Sequence, residues 1–192
     1  ISNVGVVSIQ IKNAVRSPYF SAKSFHQTTL AEWQNTERNH PAPWADFQSD
    51  KVMMQVPTSW IYALNDPVTL MADWDRSADS VNDLMGFPRD RGRETIYNQV
   101  DLLIAGIGGF TPGWPAVNNT YSPGTNYNNG YANNYLVRGP QFAPYTEFHE
   151  LGHAYQFPKL TEERESDVNL LYVPVLNEGF GKSFDEAFRR SI

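Results

Sequence analysis

The stretch Phe148-His149-Glu150-Leu151-Gly152-His153-Ala154-Tyr155-Gln156 decides more about this chain than any other. On a helix, residues four apart share a face. The imidazoles of His149 and His153 can then grip one cation from the same side, with the Glu150 carboxylate beside the first of them. This is the physical content of an H-E-x-x-H pattern. In a chain with only 4 histidines, chance would produce it about 0.4% of the time. The surrounding pattern predicts a helix over Tyr145–Phe157, closed by Pro158. Gly152 inside that helix costs about 1 kcal/mol relative to alanine, which implies close approach of another backbone or room for a substrate.

Two imidazoles need a further ligand. A catalytic zinc site takes three protein ligands and keeps one position open, and two imidazoles with a carboxylate suit zinc. A metzincin arrangement is excluded, because it would need glycine at Gln156 and histidine at Lys159. The downstream acidic candidates are Glu162, Glu163, Glu165, Asp167 and Glu178. Glu165 falls on a second predicted helix, Glu162–Tyr172, closed by Pro174. Asn169 lies one turn further on, placed to orient a neighbouring ligand. Glu178, in Asn177-Glu178-Gly179, is the rival.

Upstream, Val7, Ile9 and Ile11 alternate with polar residues, predicting a strand. Thr29 and Glu32 form a capping box for a helix over Leu30–Glu37, and Pro41 and Pro43 make Asn39–Trp44 an extended connection. Lys51–Val56 reads as a strand stopped by Pro57. Asp66 and Pro67 supply an N-cap and an N1 proline. Leu70, Met71, Trp74, Ala78, Val81, Leu84 and Met85 then recur at helical spacing until Gly86 and Pro88. A buried strand is expected within Thr95–Ile107. Gly108–Asn134 reads as a long loop, rich in asparagine with Tyr121, Tyr127 and Tyr131 interleaved, of a length that points to function or mobility. Asn118-Asn119-Thr120 forms a glycosylation sequon. A last helix is predicted over Ser183–Arg190.

The 192 residues suit a single domain. A composition of 41% hydrophobic and 19% charged residues, with 13 Gly and 13 Pro, excludes a disordered or collagen-like chain. The net charge of -6 argues against a nucleic-acid partner. The longest apolar run, Leu102–Phe110, is too short to span a bilayer. With no cysteine, disulfides, thiolate metal sites and cysteine nucleophiles drop out together. Ile1–Lys12 lacks the features of a signal peptide, so the chain reads as a mature form or a piece of a longer protein. The 14% aromatic content serves a packed core or a cleft that stacks on sugars or extended peptides.

Phe148–Gln156 followed by Glu165-Ser166-Asp167-Val168-Asn169 resembles the enhancin-like, mucin-degrading peptidases (peptidase family M sixty), whose H-E-x-G-H motif is followed by a glutamate, commonly in an E-x-x-x-N setting. Ala42-Pro43-Trp44, Val56-Pro57-Thr58, Asp66-Pro67 and Trp74-Asp75 resemble the family's upstream blocks. Asn129-Gly130-Tyr131 resembles its G-Y-P element, with Ala132 where proline is usual. The resemblance runs from about Pro18 to Val173.

It implies an α+β, gluzincin-like metallopeptidase: one catalytic domain over 1–192, with a mixed-sheet portion over 1–140 and a helical zinc-binding portion over 141–192. His149, His153 and Glu165 would hold Zn2+. Glu150 would be the general base on a zinc-bound water. A second oxyanion donor is expected, and Tyr172, seven residues after Glu165 and so on a similar helical face, is the candidate; Asn169 and Tyr131 are candidates for the ligand surroundings or the substrate cleft. The substrate would be a glycoprotein or mucin, and the setting secreted or cell-surface. The competing expectation is a glycan- or mucin-binding module with a vestigial or structural metal site.

Overall fold

In the computed structural model, residues 7–89, 95–101, 108–109, 116–118, 134–155 and 164–192 are described. The strands are β1 (Tyr19–Lys23), β2 (His26–Gln27), β3 (Trp44–Gln48), β4 (Val52–Pro57), β5 (Ile96–Asp101), β6 (Gly108–Gly109) and β7 (Ala116–Asn118). Among the described residues they form one sheet in the order β2-β1-β3-β4-β5-β7-β6. Pairing is mixed: β1 with β3, β4 with β5 and β5 with β7 are parallel, and the other neighbours are antiparallel.

Period-2 alternation explains which face is covered. Ala45 and Phe47 of β3, Val52, Met54 and Val56 of β4, and Ile96 and Val100 of β5 are buried. Register aligns Phe20 with Phe47 and Phe47 with Met54, so apolar side chains form a row across the strands.

Helix α1 (Leu30–Asn35) has the expected capping box, with Glu32 N–H donating to Thr29 Oγ1 at 3.1 Å and Thr29 N–H to Glu32 Oε2 at 2.8 Å. It buries Trp33, whose ring centroid lies 5.9 Å from Phe20 and 5.2 Å from Phe47. Helix α2 (Pro67–Met85) starts at the Asp66 cap and ends at Gly86, whose φ of 72° is left-handed. The apolar positions anticipated from its spacing divide: Leu70, Met71, Trp74, Ala78 and Val81 are buried, while Leu84 is exposed. The β3–β4 turn is tied to this helix by Ser49 Oγ donating to Asp75 and by the Lys51–Asp79 ion pair. Thr58 closes the start of β3 against the end of β4: its hydroxyl donates to Ala42 O at 2.7 Å and its N–H to Pro43 O at 2.9 Å.

The last third is helical: α3 (Tyr135–Arg138), α4 (Tyr145–Tyr155), α5 (Arg164–Asp167), α6 (Tyr172–Pro174) and α7 (Phe184–Arg189). The architecture is α+β. Stacked rings join its two parts: Trp74 of α2 lies 6.4 Å from Phe148 of α4, which lies 4.7 Å from Tyr172 of α6 with planes 9° apart.

Three expectations change. Val7–Ile11 is not a strand; Val7, Ile9 and Ile11 are 83%, 80% and 76% exposed. Alternation offers a strand two faces, but without a partner, and none is found among the described residues, it does not make one. Pro174 does not end the helical path. The chain tightens to 3-10 over Val168–Leu171, passes through α6 and widens into a π turn over Val175–Gly179. Proline removes the N–H that an α-turn would use at that position, so the pitch shifts instead of stopping. The long connection also holds short strands β6 and β7; its remainder, including Tyr121, Tyr127 and Tyr131, lies outside the described residues.

Phe148 is 1% exposed and sits between two rings. Replacing it with alanine is expected to lower unfolding free energy by about 3–5 kcal/mol, measured by urea denaturation. A loss under 1 kcal/mol would show that this stack does not join α2 to the later helices.

Candidate metal centre

Helix α4 turns one face inward. Glu147, Phe148, Leu151, Gly152 and Tyr155 are buried, the spacing of a stripe facing a core. His149 and His153 fall at its edge, with side chains 16% and 18% exposed. Their ring centroids are 4.9 Å apart. The described part of α4 ends at Tyr155, and the rest of the predicted helix lies outside the described residues.

The acidic partner comes from α5. Glu165 Oε2 lies 3.2 Å from His149 Nε2 and 3.7 Å from His153 Nε2. One donor atom from each of these residues lies within 4.8 Å of the others, and among the described residues this trio is the group that could hold a metal ion. Asn169 Oδ1 is 2.7 Å from His149 Nδ1. With the amide oxygen as acceptor, Nδ1 carries a hydrogen, and Nε2 is the ring nitrogen directed at Glu165. Two imidazole nitrogens converging on one carboxylate oxygen are an arrangement that fits a shared cation. Two nitrogens and one oxygen suit zinc and leave room for a fourth ligand.

Gly152 explains how the two helical segments come so close. A Cβ there would stand 2.7 Å from Val168 Cβ, 3.0 Å from Val168 O and 3.1 Å from Val168 Cα. Val168 sits directly before Asn169 and three residues after Glu165. The close approach inferred from a glycine in mid-helix is therefore a contact with the segment that carries both partners of His149.

The remaining candidates separate. Glu150 is half-buried and follows His149 on α4. Glu178 is exposed on the π turn and is not part of the converging trio. Glu162, Glu163 and Tyr131 lie outside the described residues. Tyr172 requires a correction. It is fully buried, its hydroxyl lies 2.8 Å from Ala143 O and 3.1 Å from Pro140 O, and Arg190 Nη2 donates to it at 3.2 Å. Its face of α6 meets the core side of α4, so it ties elements together and has no route to an oxyanion.

Glu147 escaped the sequence reading. It is 4% exposed and accepts a hydrogen bond from Tyr135 Oη at 2.5 Å. Burial pushes its pKa up to about 7; the Tyr135 bond opposes the shift and the Glu150 charge adds to it. Tyr135 is pushed well above its ordinary range by burial, and next by the nearby Glu147 charge. The available signal was position: Glu147 stands four residues before Leu151, on the inward stripe.

An α+β fold with an H-E-x-x-H helix and a downstream glutamate defines a metallopeptidase class. The family profile described as peptidase M60, enhancin and enhancin-like, matches residues 13–189, and the chain belongs to that family. It is 29% identical over 177 residues to TRPM8 channel-associated factor 2 of Bos taurus, covering 89% of this chain and 18% of that protein. The chain therefore spans about a fifth of the length of this relative.

Among solved structures, a metallopeptidase from Bacteroides thetaiotaomicron superposes with a TM-score of 0.61 at 15% identity, covering 85% of this chain and 27% of that one. The M60 catalytic domain of Clostridium perfringens ZmpC, in complex with the sialyl T antigen, gives 0.55 at 13% identity, covering 82% and 32%. These likenesses are of fold. Among the described residues no helix is long and apolar enough to cross a membrane.

Gly152→Ala is expected to destabilise the chain by about 1–3 kcal/mol through overpacking, and Gly152→Val by more. Equilibrium unfolding checks this, and unchanged stability in both variants would deny the close contact with Val168.

Proposed function

We propose that this chain is the catalytic domain of a zinc-dependent metalloendopeptidase that hydrolyses peptide bonds in glycoproteins, mucin-like O-glycosylated substrates above all. The observation that carries the reading is the approach of Glu165 Oε2 to both imidazole Nε2 atoms while Asn169 holds His149 Nδ1. His149, His153 and Glu165 are the ligands in this reading. When bound there, zinc would supply Lewis acidity toward the peptide carbonyl and toward water.

The chain's own groups do the rest. Asn169 keeps His149 in the tautomer whose Nε2 is a donor to the metal. Glu150 takes a proton from the attacking water as its oxygen bonds to the carbonyl carbon. The same carboxylic acid then gives that proton to the amine as the C–N bond breaks. The glycoprotein preference draws support from family membership and from the ZmpC catalytic domain, which was solved with the sialyl T antigen. A secreted or cell-surface setting follows from such substrates.

A second reading has its own support. Relatives matched over most of the chain are named as channel-associated factors and not as peptidases. In that reading the fold is a glycan- or mucin-binding module, and the metal site is structural or vestigial.

The test compares the zinc-loaded chain with its Glu150→Gln variant on a mucin and on an unglycosylated peptide. Cleavage of the mucin is expected to fall at least about hundredfold in the variant, with zinc per chain unchanged by elemental analysis. An equally active variant would remove Glu150 from the mechanism. Absence of cleavage by the parent chain, with mucin binding that survives chelation, would favour the binding module.

A further inference from the structure

Peptide hydrolysis puts negative charge on the former carbonyl oxygen, and one fixed hydrogen-bond donor aimed at such an oxygen is worth about 10²–10³ in rate in a serine protease. Tyr172 cannot supply it, because its hydroxyl is enclosed by the carbonyls of Pro140 and Ala143. A different phenol stands on the right side of α4. Tyr145 lies four residues before His149 and eight before His153, so the three share one edge of the helix. Its ring meets that of His149 edge-on, with centroids 6.5 Å apart and planes at 86°.

Tyr145 is 41% exposed, whereas the other tyrosines of α3, α4 and α6 are buried. Among the described residues no group takes up its hydroxyl. Its backbone is also well held: Pro144 precedes it, and Glu147 N–H donates to Pro144 O at 3.2 Å at the start of the helix. A phenol with a fixed root, one ring edge against His149 and a free hydroxyl is arranged to meet whatever binds next to that imidazole.

We infer that Tyr145 is a catalytic residue whose hydroxyl donates a hydrogen bond to the carbonyl oxygen of the peptide at the scissile bond. The inference rests on the peptidase reading of the same site. The bond strengthens as the oxygen gains charge, so it acts more on kcat than on KM. No proton is transferred: the phenol keeps its hydrogen, and the proton traffic stays with Glu150.

The experiment uses the 192-residue chain loaded with zinc and the variant Tyr145→Phe, which keeps the ring. Two measurements are made. One is kcat and KM for mucin cleavage. The other is the affinity for N-acetyl-alanyl-alanine hydroxamate, a probe that binds whether or not the chain turns over substrate. The expected result is a loss of at least about tenfold in kcat with KM within about threefold, and about tenfold weaker hydroxamate binding. Zinc content and the urea midpoint should match the parent.

Unchanged kcat and unchanged hydroxamate affinity would overturn the role of Tyr145 while leaving the peptidase reading intact. A parent chain that binds the hydroxamate but cleaves nothing would end the peptidase reading and, with it, the catalytic role; weaker binding by Tyr145→Phe would then show only a ligand contact. Equal loss in Tyr145→Phe and in a zinc-depleted parent, with zinc missing from the variant, would also overturn it, because the phenol would then serve the metal and not the substrate.

Discussion

The site depends on how closely two stretches of backbone can lie. A side chain at position 152 would collide with Val168, including its carbonyl oxygen and Cα. Backbone atoms cannot step aside as the tip of a lysine can. Glycine removes the obstacle, and the 3-10 turn over Val168–Leu171 settles against α4. Glu165 and Asn169 flank Val168 along the same segment, so one contact places two functional groups at once. Neither group needs to be held by a dedicated scaffold of its own. The loss of helix propensity at Gly152, about 1 kcal/mol, is the local cost of this arrangement.

A helix that carries chemistry on one edge must be anchored on the other. In α4 the anchors are of two kinds. Phe148 is sandwiched between Trp74 and Tyr172, which couples the helix to α2 and thereby to the sheet. Glu147 reaches Tyr135 in the preceding short helix. The first is an apolar contact that tolerates small shifts. The second is a directional bond between buried polar groups, and it penalises rotation of α4 about its axis, because a buried carboxyl without a partner is costly. Rotation is the motion that would turn the imidazoles away from Glu165.

Much of this was legible in the residues. The H-E-x-x-H spacing, the Asp66-Pro67 helix start, the Thr29–Glu32 box and the glycine in mid-helix are local signals, and each depends on neighbours within four positions. What was not legible depended on distant partners. Tyr19–Lys23 and Trp44–Gln48 are strands because they pair with each other, the first also with β2 and the second with β4. Val7–Ile11 has the period and, among the described residues, no partner. Tyr172 lies seven residues after Glu165, which on a regular helix would share its face, but which way it points is set by Pro140 and Ala143, about thirty residues earlier. Glu147 is an acid in an inward stripe, and only the tyrosine twelve residues before it explains why it can stay there.

The burial pattern also accounts for how few positions are open to chemistry. On α4 the stripe from Glu147 to Tyr155 is committed to packing, and the described side chains off it, Tyr145 excepted, are half-buried. Beside the stripe runs an i, i+4, i+8 series: Tyr145, His149 and His153. A half-buried position keeps an imidazole mostly enclosed, which fixes its ring, and still lets one nitrogen reach a shared space. The Glu165 side chain is 79% exposed, so enclosure does not hold it; its place comes from the backbone of α5 and hence from Gly152. The two imidazoles are thus set by packing within one helix and the carboxylate by contact between two. A change that loosens the second contact would leave the histidines in position and take away the oxygen that completes the group.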